Sequence, residues 1–330
     1  MALRLPWTRR PMKAWRSRAL VLWEAWERFF FGPVDLLPLC AFRLVFGCGV
    51  FLFYLMRELD FTFLFTERGV APYALLARAV PQIAAPPVSL GAFAGEASSG
   101  LVLHTVFLLL LLGLALGALS RASAWLCFFL HLVFLHRNPL VVYGPDQVAT
   151  CWLLYLSFAR SDARLSVALP WGGRPSGAEK GSGSDPLSTV ALRLAQIHLC
   201  VIYAYSGFHK IQGGSWWRGD AVWNALGNGL LVHVNLAALR YAPSAVAAGG
   251  FLVLVWEVYF PALVWVPRVR PFILGAGVLI HAFIALVMNL PFFSWFMVAA
   301  YALFLDAPIL AAAARSLHKR PALGAAATSS

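Results

Sequence analysis

Apolar stretches separated by short polar segments follow one another along most of this chain. A helix needs about 20 mostly apolar residues to cross a bilayer. The pattern therefore predicts an all-α, polytopic integral membrane helical bundle of about eight spans. The predicted spans are 36–56, 101–119, 122–135, 147–158, 187–208, 245–266, 272–288 and 292–305. The third, fourth and eighth are short for a bilayer, which leaves the count open by about one or two.

The segments at the two ends have a different composition. Residues 1–35 are basic, and the aromatic residues within 15–31 stand beside Arg and Glu. This arrangement is typical of an amphipathic helix in the membrane interface, with a plain basic tail as the alternative. The predicted organisation is a basic N-terminus with an interfacial helix (1–35), a transmembrane domain (36–310) and a disordered cytoplasmic tail (311–330).

Composition agrees with a membrane protein. Hydrophobic residues make up 61% of the chain and charged residues 12%, whereas a soluble domain is about 25% charged. The net charge of +12 raises the possibility of nucleic acid, but the basic residues lie in short clusters beside apolar runs, and no RNA-binding motif or Gly-rich phosphate loop is present. The distribution of Lys and Arg predicts that both termini are cytoplasmic. The five cysteines have no metal-ligand spacing, and no metal site is predicted.

The end of the fifth predicted span carries the most informative residues. The apolar run over 187–208 stops at His209 and Lys210, and Trp217 follows shortly after. A desolvated lysine can lose its proton near neutral pH, so a lysine at this depth is a candidate functional residue. The alternative is that Lys210 only extends to the lipid headgroups. The topology places this end of the span on the outer face of the membrane, which in a bacterial inner membrane is the periplasmic or exterior side.

Two further charged residues lie inside apolar runs. Arg43 is in the first predicted span and needs a carboxylate, carbonyl groups or water, unless it extends to the cytoplasmic interface. Glu257 is in the sixth span and must be neutral or paired. The candidate partners of Glu257 are Arg43, Arg193 and Lys210.

A turn between the third and fourth predicted spans contains Arg137-Asn138-Pro139 and, after it, Tyr143-Gly144-Pro145-Asp146. Asp146 is predicted to be the N-cap of the fourth span. The functional alternative is that Asp146 orients or discharges Lys210 on the same face, although a nearby carboxylate raises the pKa of a lysine and opposes its use as a base.

Several of these motifs resemble one family. Residues 42–47 look like the first-span motif of the vitamin K-dependent gamma-carboxylase membrane domain, also called the horizontally transferred transmembrane domain (HTTM). Residues 203–211, followed by Trp217 and Gly219, resemble the segment that holds the catalytic lysine of those enzymes. Lys210 falls on the second lysine of their Lys-Lys-Leu. The turn with Arg137 and Asp146 is similar to the bacterial branch of the family, which includes the sporulation-delaying protein B type.

The resemblance implies a carboxylase-like lyase or ligase. In it, Lys210 is the base that acts on a reduced quinone or another lipid-soluble co-substrate, and His209 is its neighbour. Oxygen and carbon dioxide are the further co-substrates, and a secreted peptide or protein is the substrate. The polar residues that would support this site are Arg43, Arg137, Asp146, Glu257 and Trp217.

This chain departs from the carboxylases in two respects. It lacks their Asn-His pair near Asp146, and only a short tail follows the last apolar run, which predicts no large extramembrane domain. An accessory membrane protein for peptide maturation, immunity or partner binding therefore stays open as an alternative. A transporter is least favoured, because the chain has no evident internal repeat.

Overall fold

A computed structural model describes most of the chain. The described residues are 11–72, 75–76, 78, 97–118, 120–167, 185–229, 231–232 and 234–318. The α-helices are α1 Pro11–Phe31, α2 Leu37–Leu59, α3 Phe61–Phe65, α4 Ala97–Leu116, α5 Ser120–Arg137, α6 Gly144–Phe158, α7 Pro186–Gln212, α8 Gly214–Arg218, α9 Ala221–Leu226, α10 Pro243–Leu263, α11 Arg270–Val287, α12 Pro291–Ala300 and α13 Ala307–His318. Short 3-10 turns occupy Pro139–Val141, Ala237–Tyr241 and Tyr301–Phe304. Within these ranges no strand occurs.

Five of the helices are long and apolar enough to cross a membrane: α2, α4, α7, α10 and α11. This confirms an all-α integral membrane architecture, but not the predicted count of about eight spans. The other three predicted spans are helical but do not reach that standard. Helix α6 has 15 residues, and α5 has 18 with charged and imidazole groups among them. Helix α12 with its 3-10 extension forms a shorter apolar segment, Pro291–Phe304.

Helix α2 is the centre of the bundle. It packs against α4, α12 and the Tyr301–Phe304 turn, while α7 packs against α10, α6 and α1. Gly47 allows α2 and α4 to approach closely, because a Cβ there would lie 2.8 Å from the Cα of Ala115. Small residues serve this purpose at many membrane helix contacts. The core around α2 is aromatic and includes the fully buried rings of Phe42, Phe46 and Trp152.

Arg43 is fully buried, which favours the first of its two alternatives, a partner inside the bundle. Its guanidinium donates to the carbonyls of Leu114 at 2.9 Å and Ala115 at 2.8 Å, at the end of α4. It also donates to the carbonyls of Ser161 at 2.9 Å and of Leu165. The last carbonyls of a helix have no partner within it, and Arg43 supplies one from α2. Carbonyl groups are therefore the partners that the sequence required for this charge.

A helix was predicted at the N-terminal end of the described chain and disorder at its C-terminal end, and both ends are helical. Helix α1 forms where the interfacial helix was predicted, and Trp23 and Trp26 are exposed on it. Arg193 of α7 donates to the carbonyl of Phe29 at 3.1 Å and attaches α1 to the bundle. At the other end, α13 continues to His318 and so extends into the segment predicted to be disordered.

Candidate functional site

Lys210 and Glu257 form an ion pair inside the helical bundle. Lys210 Nζ lies 2.7 Å from Glu257 Oε1 and 2.5 Å from Oε2. The ammonium also donates to Ser206 Oγ, one turn earlier on α7, at 2.7 Å. The two charged side chains are only 21% and 10% exposed. Lys210 therefore reaches sideways to α10, which makes it the partner of Glu257 among the three candidates.

A glycine explains why these two side chains meet. Gly207 of α7 faces α10, and a Cβ on it would lie 3.0 Å from the side chain of Val258 and 3.1 Å from its backbone nitrogen. The two helices are thus nearly in contact next to Glu257. Lys210 follows Gly207 by three residues and lies on the same face of α7. The close approach brings its amine within reach of the carboxylate and so neutralises a charge that would otherwise be costly in an apolar bundle.

The chain beyond α7 covers the lysine with an aromatic ring. Helix α7 ends at Gln212, and α8 turns back so that the ring of Trp216 lies 5.3 Å from Lys210 Nζ, a cation–π distance. Trp217, which was predicted to support the site, is 59% exposed, and its indole donates to the carbonyl of Ile211 at 2.6 Å. The tryptophan that contacts Lys210 is therefore the neighbouring one.

A cavity of about 670 Å³ adjoins the ion pair, and Lys210, Ser206 and His209 line it. The opposite wall comes from α6 and α12, and the whole lining is mainly apolar. The lining also includes Gln147, Val148, Ile202, Tyr205 and Phe293. Ligand pockets in proteins are typically about 300–1,000 Å³, with apolar walls and a few polar groups. This cavity, called here the lysine cavity, has both properties.

The histidines of the lysine cavity lie on one helix. His209 packs its ring against Tyr205, with centroids 4.3 Å apart. His198 lies further back on α7, and its Nδ1 is 2.7 Å from Tyr155 Oη. Among the described residues no group of three His, Cys, Asp or Glu side chains has a geometry that could hold a metal ion.

Asp146 does not contact Lys210. Its carboxylate forms a bidentate ion pair with the guanidinium of Arg57, at 2.7 Å to Nη1 and 2.9 Å to Nη2. It is also not the N-cap of α6, because that position belongs to Tyr143, whose N–H donates to Asp146 Oδ2 at 3.1 Å. Asp146 thus contributes to capping from the third position of α6, where its side chain completes a capping box with Tyr143. The alternative, that it orients or discharges Lys210, is wrong. The carboxylate instead attaches the first turn of α6, with the cavity residue Gln147, to α2.

A buried polar network extends from this pair. Tyr54 Oη lies 2.6 Å from His131 Nδ1, and His131 Nε2 lies 2.9 Å both from the Asp146 carbonyl oxygen and from Thr150 Oγ1. The network joins α2, α5 and α6 beside the lysine cavity. A fully connected polar network of this kind makes a helical core rigid.

Arg137 contacts a different part of the chain. Its guanidinium donates to Glu67 Oε1 at 2.9 Å and to the carbonyl of Ala71 at 3.0 Å, while Asn138 donates to the carbonyl of Leu64 at 2.6 Å. These contacts attach α3 and the segment after it to the end of α5. Arg137 and Arg43 thus belong to the scaffold, whereas Lys210, Glu257 and His209 form the site.

Residues that the sequence did not single out also contribute. Ser206 and Trp216 contact the ammonium of Lys210, and Gln147 and Tyr205 line the lysine cavity. The one available signal was the spacing of Ser206, four residues before Lys210 on the same helix face. Nothing in the sequence distinguished Trp216 from Trp217.

Comparison of the chain with family models, with curated proteins and with solved structures gives no match. Its function is therefore inferred from the site itself and from the motifs that resemble the carboxylases.

Proposed function

We propose that this chain is a carboxylase-like membrane enzyme in which Lys210 and Glu257 together accept a proton from a reduced quinone or another lipid-soluble co-substrate. The observation that carries the proposal is the Lys210–Glu257 pair at the wall of the mainly apolar lysine cavity of about 670 Å³. An ion pair within apolar helices is a functional-site hypothesis by default, because burying charge there is costly.

The two groups act as one unit. The ammonium of Lys210 lies against both carboxylate oxygens of Glu257, so the proton acceptor in this proposal is the pair and not the lysine alone. A proton that moves from Nζ to a Glu257 oxygen, over 2.5 to 2.7 Å, leaves a neutral amine and a neutral acid without changing the net charge. The amine then takes a proton from a hydroxyl in the cavity. The resulting anion faces an ammonium, and Glu257 remains protonated.

The residues of the lysine cavity fit a reduced quinone. Val148, Ile202 and Phe293 provide apolar surface for a ring, and Lys210 and Gln147 provide polar groups. When bound, such a quinone would supply an acidic ring hydroxyl and, with oxygen, the strong base that carboxylation by carbon dioxide requires. The chain's own residues would orient the hydroxyl and accept its proton.

The membrane setting of the proposal follows from the basic clusters. The proposal takes both termini to be cytoplasmic, as the basic clusters predict for an even number of spans, and the end of α7 with Lys210 to open towards the periplasm or exterior of a bacterial inner membrane. A secreted peptide or protein would reach the site from that side.

The test separates the chemistry of the pair from its contribution to folding. Lys210→Ala and Lys210→Arg each disturb the site, but Lys210→Ala also leaves Glu257 buried and unpaired, which destabilises the fold. The charge-inverted double variant Lys210→Glu with Glu257→Lys keeps an ion pair between α7 and α10. The control is Arg218→Ala, since the Arg218–Asp220 pair is exposed.

The assay is incorporation of labelled bicarbonate into a glutamate-containing peptide by membranes supplied with vitamin K hydroquinone, together with oxidation of that quinone. The proposal expects bicarbonate incorporation and quinone oxidation in the unchanged chain and in Arg218→Ala. Both activities should fall at least about a hundredfold in every Lys210 variant, including the charge-inverted double variant. An unchanged chain with neither activity refutes it.

One observation favours the second candidate, an accessory membrane protein. Glu257 satisfies the ammonium with both oxygens, and Ser206 adds a third bond, as expected of a purely structural pair. In that case the charge-inverted variant keeps the protein's biological function, because the attachment between the helices is retained.

A further inference from the structure

A second cavity lies between α2, α11 and α12, away from the ion pair. Its volume is about 710 Å³, and it shares no lining residue with the lysine cavity within the described chain. The lining is almost entirely aliphatic or small, and Val45, Val278 and Trp295 remain partly exposed at its rim. These exposed apolar side chains show that the cavity, called here the lateral cavity, opens at the surface of the bundle.

The lateral cavity is lined by the buried side chains of His281 and Ser294 as well as by the buried Tyr301. His281 is 3% exposed and Ser294 is 4% exposed. His281 Nε2 is 2.8 Å from Tyr203 Oη, which is 2.6 Å from Tyr301 Oη. In contrast, His281 Nδ1 and Ser294 Oγ have no hydrogen-bond partner among the residues that the structure describes.

Such atoms are costly in a membrane protein. A buried polar atom without a partner costs about 1–3 kcal/mol, and a hydroxyl on a helix can avoid this by bonding to the carbonyl four residues earlier. Thr105 and Thr150 do so here at 2.9 Å each, but Ser294 does not. His281 Nδ1 and Ser294 Oγ belong to the wall of the same apolar cavity, so a ligand that reaches them there would provide the missing partner.

The lining specifies the chemistry of that ligand. No Lys, Arg, Asp or Glu lines the lateral cavity in the described chain, so a charged group would have no counter-ion there. A hydroxyl both donates and accepts, and so it matches Ser294 Oγ and either tautomer of His281. We propose that the lateral cavity binds a neutral lipid with a hydroxyl group, which bonds to His281 Nδ1 or Ser294 Oγ while its hydrocarbon chain covers the aliphatic wall.

The structure offers a matched pair of variants for the test. Gly275 lines the lateral cavity, and a Cβ on it would meet no atom within 4 Å. Gly249 of α10 has the same open surroundings but lines neither cavity. Gly275→Leu should therefore fill the lateral cavity without straining the bundle, and Gly249→Leu is its control. Ser294→Ala removes one polar partner at almost constant volume.

The measurement is saturable binding of tritiated farnesol or tritiated dioleoylglycerol to the purified chain in phosphatidylcholine nanodiscs. Gly275→Leu should weaken binding at least about tenfold and Ser294→Ala about threefold to tenfold, whereas Gly249→Leu should bind like the unchanged chain. Binding of farnesol alone assigns the site to single-chain alcohols, and binding of dioleoylglycerol assigns it to glycerides.

Three results would overturn the proposal. The first is no saturable binding of either alcohol to the unchanged chain. The second is equal binding by Gly275→Leu and Gly249→Leu. The third is binding of palmitate at pH 9 as tight as that of the neutral alcohols, because an anion has no partner in this lining.

Discussion

The buried ion pair between Arg57 and Asp146 should be among the polar contacts of the bundle that are most costly to break. Asp146 is fully buried and the Arg57 side chain is 10% exposed. Asp146→Asn keeps the shape of the side chain but removes its charge, so the buried guanidinium loses its counter-ion. Breaking a buried pair by changing one partner costs about 3–5 kcal/mol. Since the amide of Asn still offers one oxygen to Arg57 or to the Tyr143 N–H, we expect a loss of about 3 kcal/mol.

An exposed pair provides the control. Arg164 and Asp35 lie 3.2 Å apart with 52% and 41% of their side chains exposed. Surface pairs contribute about 0–1 kcal/mol, and Asn at position 35 retains an oxygen for the Leu37 N–H that Asp35 now accepts at 2.8 Å. Asp35→Asn should therefore change the free energy of unfolding by less than about 1 kcal/mol.

The assay is equilibrium unfolding in mixed dodecyl maltoside and SDS micelles, followed by far-ultraviolet circular dichroism. A double variant, Arg57→Met with Asp146→Leu, should lose less stability than the two single variants together, because it leaves no buried charge unpaired. Equal stability of Asp146→Asn and Asp35→Asn would refute this account of the pair. A double variant that loses the full sum of the single effects would do the same.

Two further changes test how closely the helices pack and how the charge in α2 is satisfied. Gly277→Ala would place a Cβ 2.3 Å from Tyr301 Oη. Overpacking of this kind should lower the free energy of unfolding, measured in the same micelle titration, by about 1–3 kcal/mol. The control Gly249→Ala, whose Cβ would meet open space, should leave the free energy of unfolding unchanged. Arg43→Met should lower the free energy of unfolding by at least about 3 kcal/mol, because the carbonyls at the end of α4 lose their buried donor. A variant as stable as the unchanged chain would show that those carbonyls find other partners.

The positions of the helices were largely predictable, but their relation to the membrane was not. Helices α5 and α6 form where the third and fourth spans were predicted, yet neither meets the length and polarity of a crossing helix. Hydropathy along the chain reports how apolar a helix is. It does not report whether neighbouring helices or lipid surround it, and α5 and α6 bury polar groups such as His131 and Asp146 against α2.

The site was predictable only in part for a related reason. Lys210 and Glu257 were both recognisable as charges in apolar helices, because such charges must be compensated. The choice of partner depends on Gly207, where α7 and α10 come close enough for the side chains to meet. Asp146 shows the opposite case, since nothing in the sequence connected it with Arg57 on a helix far away in the chain.

By itself, the sequence determined that this chain is a helical membrane protein with a few charges that need partners. Both properties follow from local composition, because transfer of each segment into lipid depends on its own residues. The tertiary structure decided which charges pair, which side of each helix faces the cavities and that His281 Nδ1 and Ser294 Oγ have no partner among the described residues. These features depend on how helices from distant parts of the chain are rotated and how far apart they lie. Packing of small and aromatic side chains, not hydropathy, sets that rotation and separation.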